Sequence, residues 1–147
     1  MNAWVEGFLK GLKPQELLTV NEWADKHRVL SSRGSSEPGK FRTDRTPYMK
    51  EPMEELSTGS LTQRVVLMFA SQTGKTESMN NWTGYCIDFS PGAMLLLQPT
   101  LSMAARLSKQ RLEPMLLETP CLAEKIPPPR SRDSGNSQFA KVFPRSE

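Results

Sequence analysis

An apolar run that leads directly into a short polar loop is the feature that most constrains what this chain can fold into. Residues 65–70 are all apolar, Val-Val-Leu-Met-Phe-Ala, which is the pattern of a strand buried on both faces of a parallel sheet. The next six residues are Ser71, Gln72, Thr73, Gly74, Lys75 and Thr76. Beyond them, a helical repeat runs through Met79, Trp82, Thr83 and Cys86. The predicted order is strand, loop, helix, with the helix ending near Asp88.

A second strand and helix follow the first pair. Residues 93–97 are apolar and run into Gln98-Pro99-Thr100. Leu101–Leu112 has helical spacing that places Leu101, Ala104, Ala105 and Leu112 inward. We expect Pro114 to end that helix or begin a new turn, and Thr119 with Pro120 to start another. Alternating strands and helices predict a right-handed βαβ unit.

The N-terminal third predicts short helices followed by a loop. Thr19 and Glu22 form a candidate capping box for a helix near residues 20–28. Apolar residues also share one helical face in two further segments: Trp4, Phe8 and Leu12, then Met49, Met53 and Leu56. Residues 31–39 combine small, polar and helix-breaking types and predict a flexible connector. The predicted division is a helical segment and loop over residues 1–40 and a second unit over residues 41–147.

Gly74, Lys75 and Thr76 match the last half of a phosphate-binding loop. Such a loop needs backbone N–H groups aimed at phosphate oxygens, a lysine for the β- and γ-phosphates, and a hydroxyl for Mg²⁺. The full pattern places its first glycine at position 69, where this chain has Phe69. The alternative is a solvated lysine at a helix start. An ammonium group there faces the positive end of the helix dipole, which favours the interpretation with a bound phosphate.

The predicted fold class is therefore α/β: a P-loop NTPase-like parallel sheet flanked by helices, with an N-terminal helical segment. The sheet is expected to be incomplete, because the sequence supplies two strong strands and an open sheet usually has about four to six. Hydrolysis also needs an acidic residue at the end of another buried strand. The apolar runs that end in Asp88 and Glu118 do not predict strands, so neither supplies that residue. The 147 residues alone are expected to be marginally stable or prone to aggregate.

Several ordered motifs resemble the ATPase domain of phage terminase large subunits of the lambda-like branch. They are residues 39–48 up to Pro47-Tyr48, the run and loop over residues 65–77, Gln98-Pro99-Thr100, the stretch from Pro114 to Thr119-Pro120, and residues 132–136. The resemblance covers roughly residues 15–143. In that family the large subunit is the ATP-driven motor that translocates viral DNA into a procapsid, and a separate C-terminal nuclease domain cuts the DNA. The resemblance implies that the acidic strand and the nuclease carboxylates lie beyond Glu147.

The resemblance implies specific roles for residues of this chain. Residues Ser71 to Thr76 would surround the triphosphate of ATP, with Lys75 as the catalytic lysine at its β- and γ-phosphates and Thr76 on Mg²⁺. Tyr48 would contact the adenine, although from sequence a packing role is equally compatible with it. Many relatives have a glutamine after that tyrosine and an arginine inside the loop. This chain has Met49 and the uncharged residues 71–73 instead.

Partners and location follow from the same resemblance and from composition. The resemblance implies double-stranded viral DNA, a terminase small subunit, a portal or procapsid, and a homo-oligomer as partners. Seven basic residues against three acidic ones between Asp25 and Lys50 predict a surface for a polyanion or simply a solvated loop. The candidate DNA contacts are Arg42, Arg45, Arg106, Lys109 and Arg111. The sequence has no apolar stretch of about 18 residues and no secretory signal, which predicts a cytoplasmic protein without membrane association.

Two alternative functions remain open from sequence. Gln98-Pro99-Thr100 after a strand also resembles helicase cores, which predicts a helicase-like P-loop ATPase. The basic residues alone predict a non-enzymatic module that binds nucleic acid. The isolated Cys86 and Cys121, with the single His27, exclude a disulfide framework and a zinc site, and we expect His27 at the surface end of a helix.

Overall fold

The computed structural model describes residues 3–12, 16–32, 35, 37–126 and 137–143. Helices dominate this part of the chain. The α-helices are α1 (Ala3–Leu12), α2 (Val20–His27), α3 (Lys50–Glu55), α4 (Lys75–Phe89), α5 (Leu101–Leu107), α6 (Glu113–Glu118) and α7 (Pro120–Ala123). Short 3-10 helices cover Thr43–Arg45 and Pro47–Met49, and a π-helix covers Ser108–Leu112. None of the helices in the described ranges has both the length and the apolar character needed to cross a membrane.

Local capping explains where α2 and α5 begin. The Thr19 hydroxyl accepts a hydrogen bond from the backbone N–H of Glu22, and the Glu22 carboxylate accepts one from the backbone N–H of Thr19. This reciprocal pair is the predicted capping box, and it satisfies N–H groups that a helix start leaves unpaired. Thr100 caps α5 by accepting a hydrogen bond from the backbone N–H of Met103. The predicted helix over residues 20–28 is confirmed, one residue shorter at its end.

The core lies where α2, α3 and α4 meet, with α6 and α7 closing one side. Trp23, Met53, Tyr85 and Leu122 are buried at its centre. Gly84 is required at this point, because a Cβ on it would lie 2.4 Å from Cη2 of Trp23. The absence of a side chain lets α2 and α4 approach closely. The predicted apolar face of residues 49–56 is confirmed at Met49 and Met53, which are buried, and at Leu56, which packs against the core.

The predicted parallel sheet is not present in the described part of the chain. The single sheet there is a two-stranded antiparallel pair, β1 (Val29–Leu30) and β2 (Gly39–Lys40), in which Val29 pairs with Lys40. Residues 65–70 and 93–97, expected as buried parallel strands, have no regular secondary structure. The physical reason is that a strand needs a hydrogen-bonded neighbour, and no other segment described in the structure pairs with either run.

Both apolar runs nevertheless keep traces of a strand's side-chain alternation. Met94 and Leu96 are half-buried, whereas the neighbouring Leu95 and Leu97 are 80% and 79% exposed. In the first run, residues 65 and 67 are likewise half-buried, and residues 66 and 68 are exposed. A period of two is the mark of a backbone that presents one face to a core and one to the outside. The expectation that both faces would be buried is wrong for the described residues.

The helix predicted over residues 101–112 is longer and less regular than expected. It continues through a π-helix into α6 and ends at Glu118. Pro114 lies in the first turn of α6, directly after the π-helix. Proline has no N–H, and its ring clashes with the carbonyl of the residue four positions earlier, so a widened turn before it relieves both problems. Leu101, expected to face inward, is 80% exposed.

The remaining expectations fall in three groups. The helix that starts at Thr119 and Pro120 is confirmed as α7. The predicted flexible connector over residues 31–39 is held at its start, because Ser31 is buried and donates a hydrogen bond to Glu118 at 2.7 Å. Residues 33, 34 and 36, the triple proline and residues 132–136 lie outside the described residues.

Candidate phosphate site

Residues 71–74 form a tight loop between the apolar run at 65–70 and helix α4. Gly74 is the N-cap of α4 and has a φ of 89°, a left-handed conformation that glycine adopts without strain. Gln72 has a φ of 60° and is the one described non-glycine residue with a positive φ. These two positions turn the chain back over the start of the helix. Ser71 and Gln72 are exposed, while Thr73 is half-buried.

Phe69 occupies the position of the missing first glycine without a positive φ. In this loop the left-handed conformations lie at Gln72 and Gly74, so nothing in the backbone at position 69 requires glycine. The Phe69 ring lies beside that of Tyr48, with ring centroids 6.0 Å apart. The loop turns at Gln72 and Gly74, so phenylalanine at position 69 is compatible with its backbone.

Lys75, the first residue of α4, folds back over the loop. Its Nζ donates hydrogen bonds to the carbonyl oxygens of Phe69 at 2.5 Å and Ala70 at 2.8 Å. The Thr73 hydroxyl also donates to the Ala70 carbonyl, at 2.9 Å. An ammonium group at a helix N-terminus opposes the dipole, so carbonyl oxygens are its natural partners when no anion is near. The loop therefore holds a positive charge together with the unpaired N–H groups of the first turn of α4.

The structure brings Tyr48 to the same loop. Its hydroxyl donates to the Thr73 carbonyl oxygen at 3.1 Å, and the residue is 48% exposed. Tyr48 lies in the 3-10 helix that precedes α3, 25 residues before Thr73. A half-exposed aromatic residue at the edge of a candidate phosphate-binding loop is suited to contact a base.

Thr76 is exposed in the first turn of α4, one residue beyond Lys75. Mg²⁺ at a nucleotide takes one or two protein ligands and completes its shell with phosphate oxygens and water. A threonine hydroxyl here fits that requirement. The described ranges contain no group of three or more His, Cys, Asp or Glu side chains that could hold a metal ion without the nucleotide.

The two acidic residues that end apolar runs have structural contacts instead. Asp88 lies in the last turn of α4, where it accepts hydrogen bonds from the Trp23 indole at 2.7 Å and the Lys125 ammonium at 2.8 Å. Burial alone would raise the pKa of Asp88, but the hydrogen bonds from Lys125 and Trp23 outweigh burial and lower it. Glu118 ends α6 and accepts from Ser31. Neither carboxylate lies at the end of a strand.

Glu77, which follows Thr76, is not among the site residues that the sequence predicts. Its carboxylate pairs with Arg28 at 3.1 Å and with Arg111 at 3.5 Å. The signal available in sequence was an acidic residue in the first turn of a helix, which ordinarily indicates only a favourable dipole contact. The arginine partners lie 49 and 34 residues away in sequence.

The candidate DNA contacts lie on two separate parts of the fold. Arg42 and Arg45 flank or end the first 3-10 helix, while Arg106, Lys109 and Arg111 lie on α5 and the π-helix. All five are exposed. Arg45 pairs with Glu37, and Arg111 pairs with Glu77, so part of this charge is already compensated within the chain.

His27 and the two cysteines have no catalytic geometry in the described structure. His27 ends α2 and is half-buried, with its ring centroid 6.1 Å from that of Trp23. The prediction that it lies at the surface end of a helix is therefore only partly confirmed. Both thiols are free. Burial raises the pKa of Cys86 to about 11. Burial, with a further contribution from the Asp88 charge, raises the pKa of Cys121 to about 12.

Comparison with known proteins finds one family and one curated relative that match the sequence of the chain. The family described as "Phage terminase large subunit gpA, ATPase domain" matches residues 35–147. A curated relative, "Terminase, large subunit" from Enterobacteria phage P21, is 31% identical over 125 residues, which cover 85% of this chain and 19% of the relative. The chain thus spans about a fifth of that relative's length. No solved structure matches it. Since the family match includes the loop, helix α4 and most of the described fold, the chain belongs to the ATPase-domain family of phage terminase large subunits.

Proposed function

We propose that the loop over residues 71–76 binds the triphosphate of ATP with Mg²⁺, as part of the motor of a viral DNA-packaging terminase. The observation that carries this proposal is Lys75, whose ammonium group folds into the loop against the Phe69 and Ala70 carbonyls at the start of α4. An arriving phosphate offers that ammonium a charged acceptor, which forms stronger hydrogen bonds than neutral carbonyls.

The proposed roles of the individual residues are those that the family resemblance implies. Lys75 contacts the β- and γ-phosphates, and the backbone N–H groups of residues 73–76 contact phosphate oxygens at the start of α4. Ser71, Gln72 and Gly74 form the wall of the loop, and Thr76 supplies a ligand to Mg²⁺. Tyr48 stacks on the adenine. Mg²⁺ held by Thr76 would neutralise phosphate charge, while the chain's own residues bind and orient the triphosphate.

The two apolar runs, residues 65–70 and 93–97, become strands of a parallel sheet in the complete ATPase domain. Their half-buried and exposed alternation supports this proposal, because each run already has one half-buried apolar face. We also propose that the chain divides near residue 40, into an N-terminal helical segment and loop (residues 1–40) and the front part of the ATPase domain (residues 41–147). Hydrolysis of ATP requires an acidic residue on a further strand, for which neither Asp88 nor Glu118 is suited.

In the complete protein, ATP hydrolysis drives double-stranded viral DNA into a procapsid in the host cytoplasm. The small subunit, the portal and further copies of the motor are the proposed partners, and Arg42, Arg45, Arg106, Lys109 and Arg111 are the proposed DNA contacts. Binding through these residues would weaken steeply with rising salt, because phosphate contacts release counterions. The family match favours this motor over a helicase or a passive nucleic-acid module.

Direct titration of the 147-residue chain with Mg-ATP tests the phosphate site. We expect wild-type binding and a loss of about tenfold or more in the Lys75→Ala variant, since a hydrogen-bonded charge contact contributes about 1.5–3 kcal/mol. Arg64→Ala is the matched control, because Arg64 is an exposed cation just before the first apolar run. Equal affinity of Lys75→Ala and Arg64→Ala for Mg-ATP would contradict the proposed site.

A further inference from the structure

One carboxylate joins three separate elements beside the loop. Glu77 lies in the first turn of α4, and its Oε2 is 3.1 Å from Nη2 of Arg28, the C-cap of α2. Its Oε1 is 3.5 Å from Nη1 of Arg111, which lies in the π-helix. These three side chains form the Glu77 cluster. The cluster ties the helix that begins with Lys75 and Thr76 to two segments distant in sequence.

The cluster is partly shielded from water and is therefore more than a surface ion pair. Arg28 is 3% exposed, and the Glu77 side chain is 27% exposed. Arg28 also donates to the Val29 carbonyl, whereas its Nε has no hydrogen-bond partner among the described residues. Burial lowers the pKa of Arg28, and the Glu77 charge opposes that effect. A buried guanidinium requires a fixed counter-charge, so Arg28 holds the Glu77 carboxylate in place.

Arg111 of the cluster lies in the π-helix. Ser108–Leu112 is a π-helix between two α-helices, next to Pro114, and such turns are rare and often occur at functional sites. The extra residue in the turn changes the direction of the side chains that follow it. Arg111 lies within this turn, and Ser108 anchors it by donating to the Gln138 carbonyl at 2.6 Å.

We propose that Glu77 is a positioning residue for the metal–nucleotide site. Held between Arg28 and Arg111, it fixes the first turn of α4 and with it the direction of the Thr76 hydroxyl. Through Arg111 it also couples this turn to the helix that follows Gln98-Pro99-Thr100. The inference rests on the proposed binding of Mg-ATP at residues 71–76. It adds a role for three side chains that do not contact the phosphates of ATP.

Arg111→Gln is the variant of choice, because Arg111 is 43% exposed and its loss leaves the Arg28–Glu77 pair intact. The measurement is the affinity of the 147-residue chain for Mg-ATP and for ATP in excess EDTA. We expect Mg-ATP affinity to fall about tenfold, the typical cost of losing a group behind a metal ligand. Affinity for metal-free ATP should fall much less, since Thr76 acts through the metal. Arg111→Lys should restore part of the loss, and Arg64→Gln, the charge-matched control, should not change the ratio.

A second measurement monitors the first turn of α4 in the absence of nucleotide. Amide hydrogen exchange at residues 75–78 should be faster in Arg111→Gln than in wild type, with an unchanged thermal transition. The inference would be overturned if Arg111→Gln lost the same factor in affinity for Mg-ATP and for metal-free ATP. It would also be overturned if the variant changed neither these affinities nor the amide exchange at residues 75–78. A wild-type chain that binds no Mg-ATP overturns the proposed function. In that case faster exchange in Arg111→Gln still supports the positioning of the turn by the Glu77 cluster, and unchanged exchange overturns it.

Discussion

The hydroxyl of Tyr48 donates a hydrogen bond to the carbonyl oxygen of Thr73 at 3.1 Å. This contact joins the 3-10 helix before α3 to the loop before α4. The Tyr48 ring also lies 6.0 Å from the ring of Phe69, between ring centroids. Two contacts therefore hold Tyr48 at the edge of the candidate phosphate site, one with Thr73 inside the loop and one with Phe69 just before it.

Replacing Tyr48 should distinguish contact with a base from support of the loop. We expect Tyr48→Ala to weaken ATP binding about tenfold, because stacking on an aromatic side chain contributes about 1–3 kcal/mol per base. Binding of inorganic tripolyphosphate should stay close to wild type, and Tyr48→Phe should keep most of the ATP affinity. A parallel loss of ATP and tripolyphosphate binding would instead assign Tyr48 to loop support.

Gly84→Ala should destabilise the helical core. A Cβ at this position would lie 2.4 Å from the ring of Trp23, which is buried and hydrogen-bonded to Asp88. Overpacking costs about 1–3 kcal/mol, and the better helix propensity of alanine offsets about 1 kcal/mol of it. We expect a net loss of up to about 2 kcal/mol in urea unfolding followed by tryptophan fluorescence. Gly59→Ala is the control, since a Cβ on Gly59 would meet nothing within 4 Å; equal stability of the two variants would refute the clash.

Asp88 should make the stability of the fold sensitive to acid. Its pKa in the folded chain is lowered below the ordinary value, despite burial, by hydrogen bonds from Lys125 and Trp23. The stabilisation is fully present above the unfolded pKa of about 3.9 and is lost as pH falls through the lower folded pKa. We expect the difference in unfolding free energy between wild type and Asp88→Asn to be constant from pH 7 to about 5 and to shrink below about pH 4. A difference that does not change down to about pH 2 would contradict this assignment.

The exposed leucines of the second apolar run should cause self-association of the chain. Leu95 and Leu97 are 80% and 79% exposed, and their backbone has no strand partner among the described residues. Unpaired apolar edges promote association between chains. The double variant Leu95→Lys/Leu97→Lys should therefore remain monomeric at higher concentration in analytical sedimentation. Gln63→Lys/Ser102→Lys adds the same charge at other exposed positions, and equal improvement by this control would attribute the effect to charge alone.

Local interactions explain why much of the loop and of the helix boundaries could be predicted. The capping box of Thr19 and Glu22 spans four residues, and the turn at Gly74 depends on the conformational freedom of one glycine. Lys75 follows that glycine directly, so its place at the start of α4 was decided by neighbours in sequence. Its bonds to the carbonyls of Phe69 and Ala70 required the folded loop.

The amino-acid sequence by itself determined the elements whose interactions close within a few residues: the starts of α2 and α5 and the turn at Gly74 before Lys75. Only the tertiary structure decided which partners distant residues have. In the folded chain, Glu77 pairs with Arg28 and Arg111, and Asp88 accepts hydrogen bonds from Trp23 and Lys125. Residues 65–70 and 93–97 have no strand partner among the described segments. The physical reason is that an ion pair or a β-ladder needs a second segment at the right distance, and the pattern of one segment carries no information about its partner.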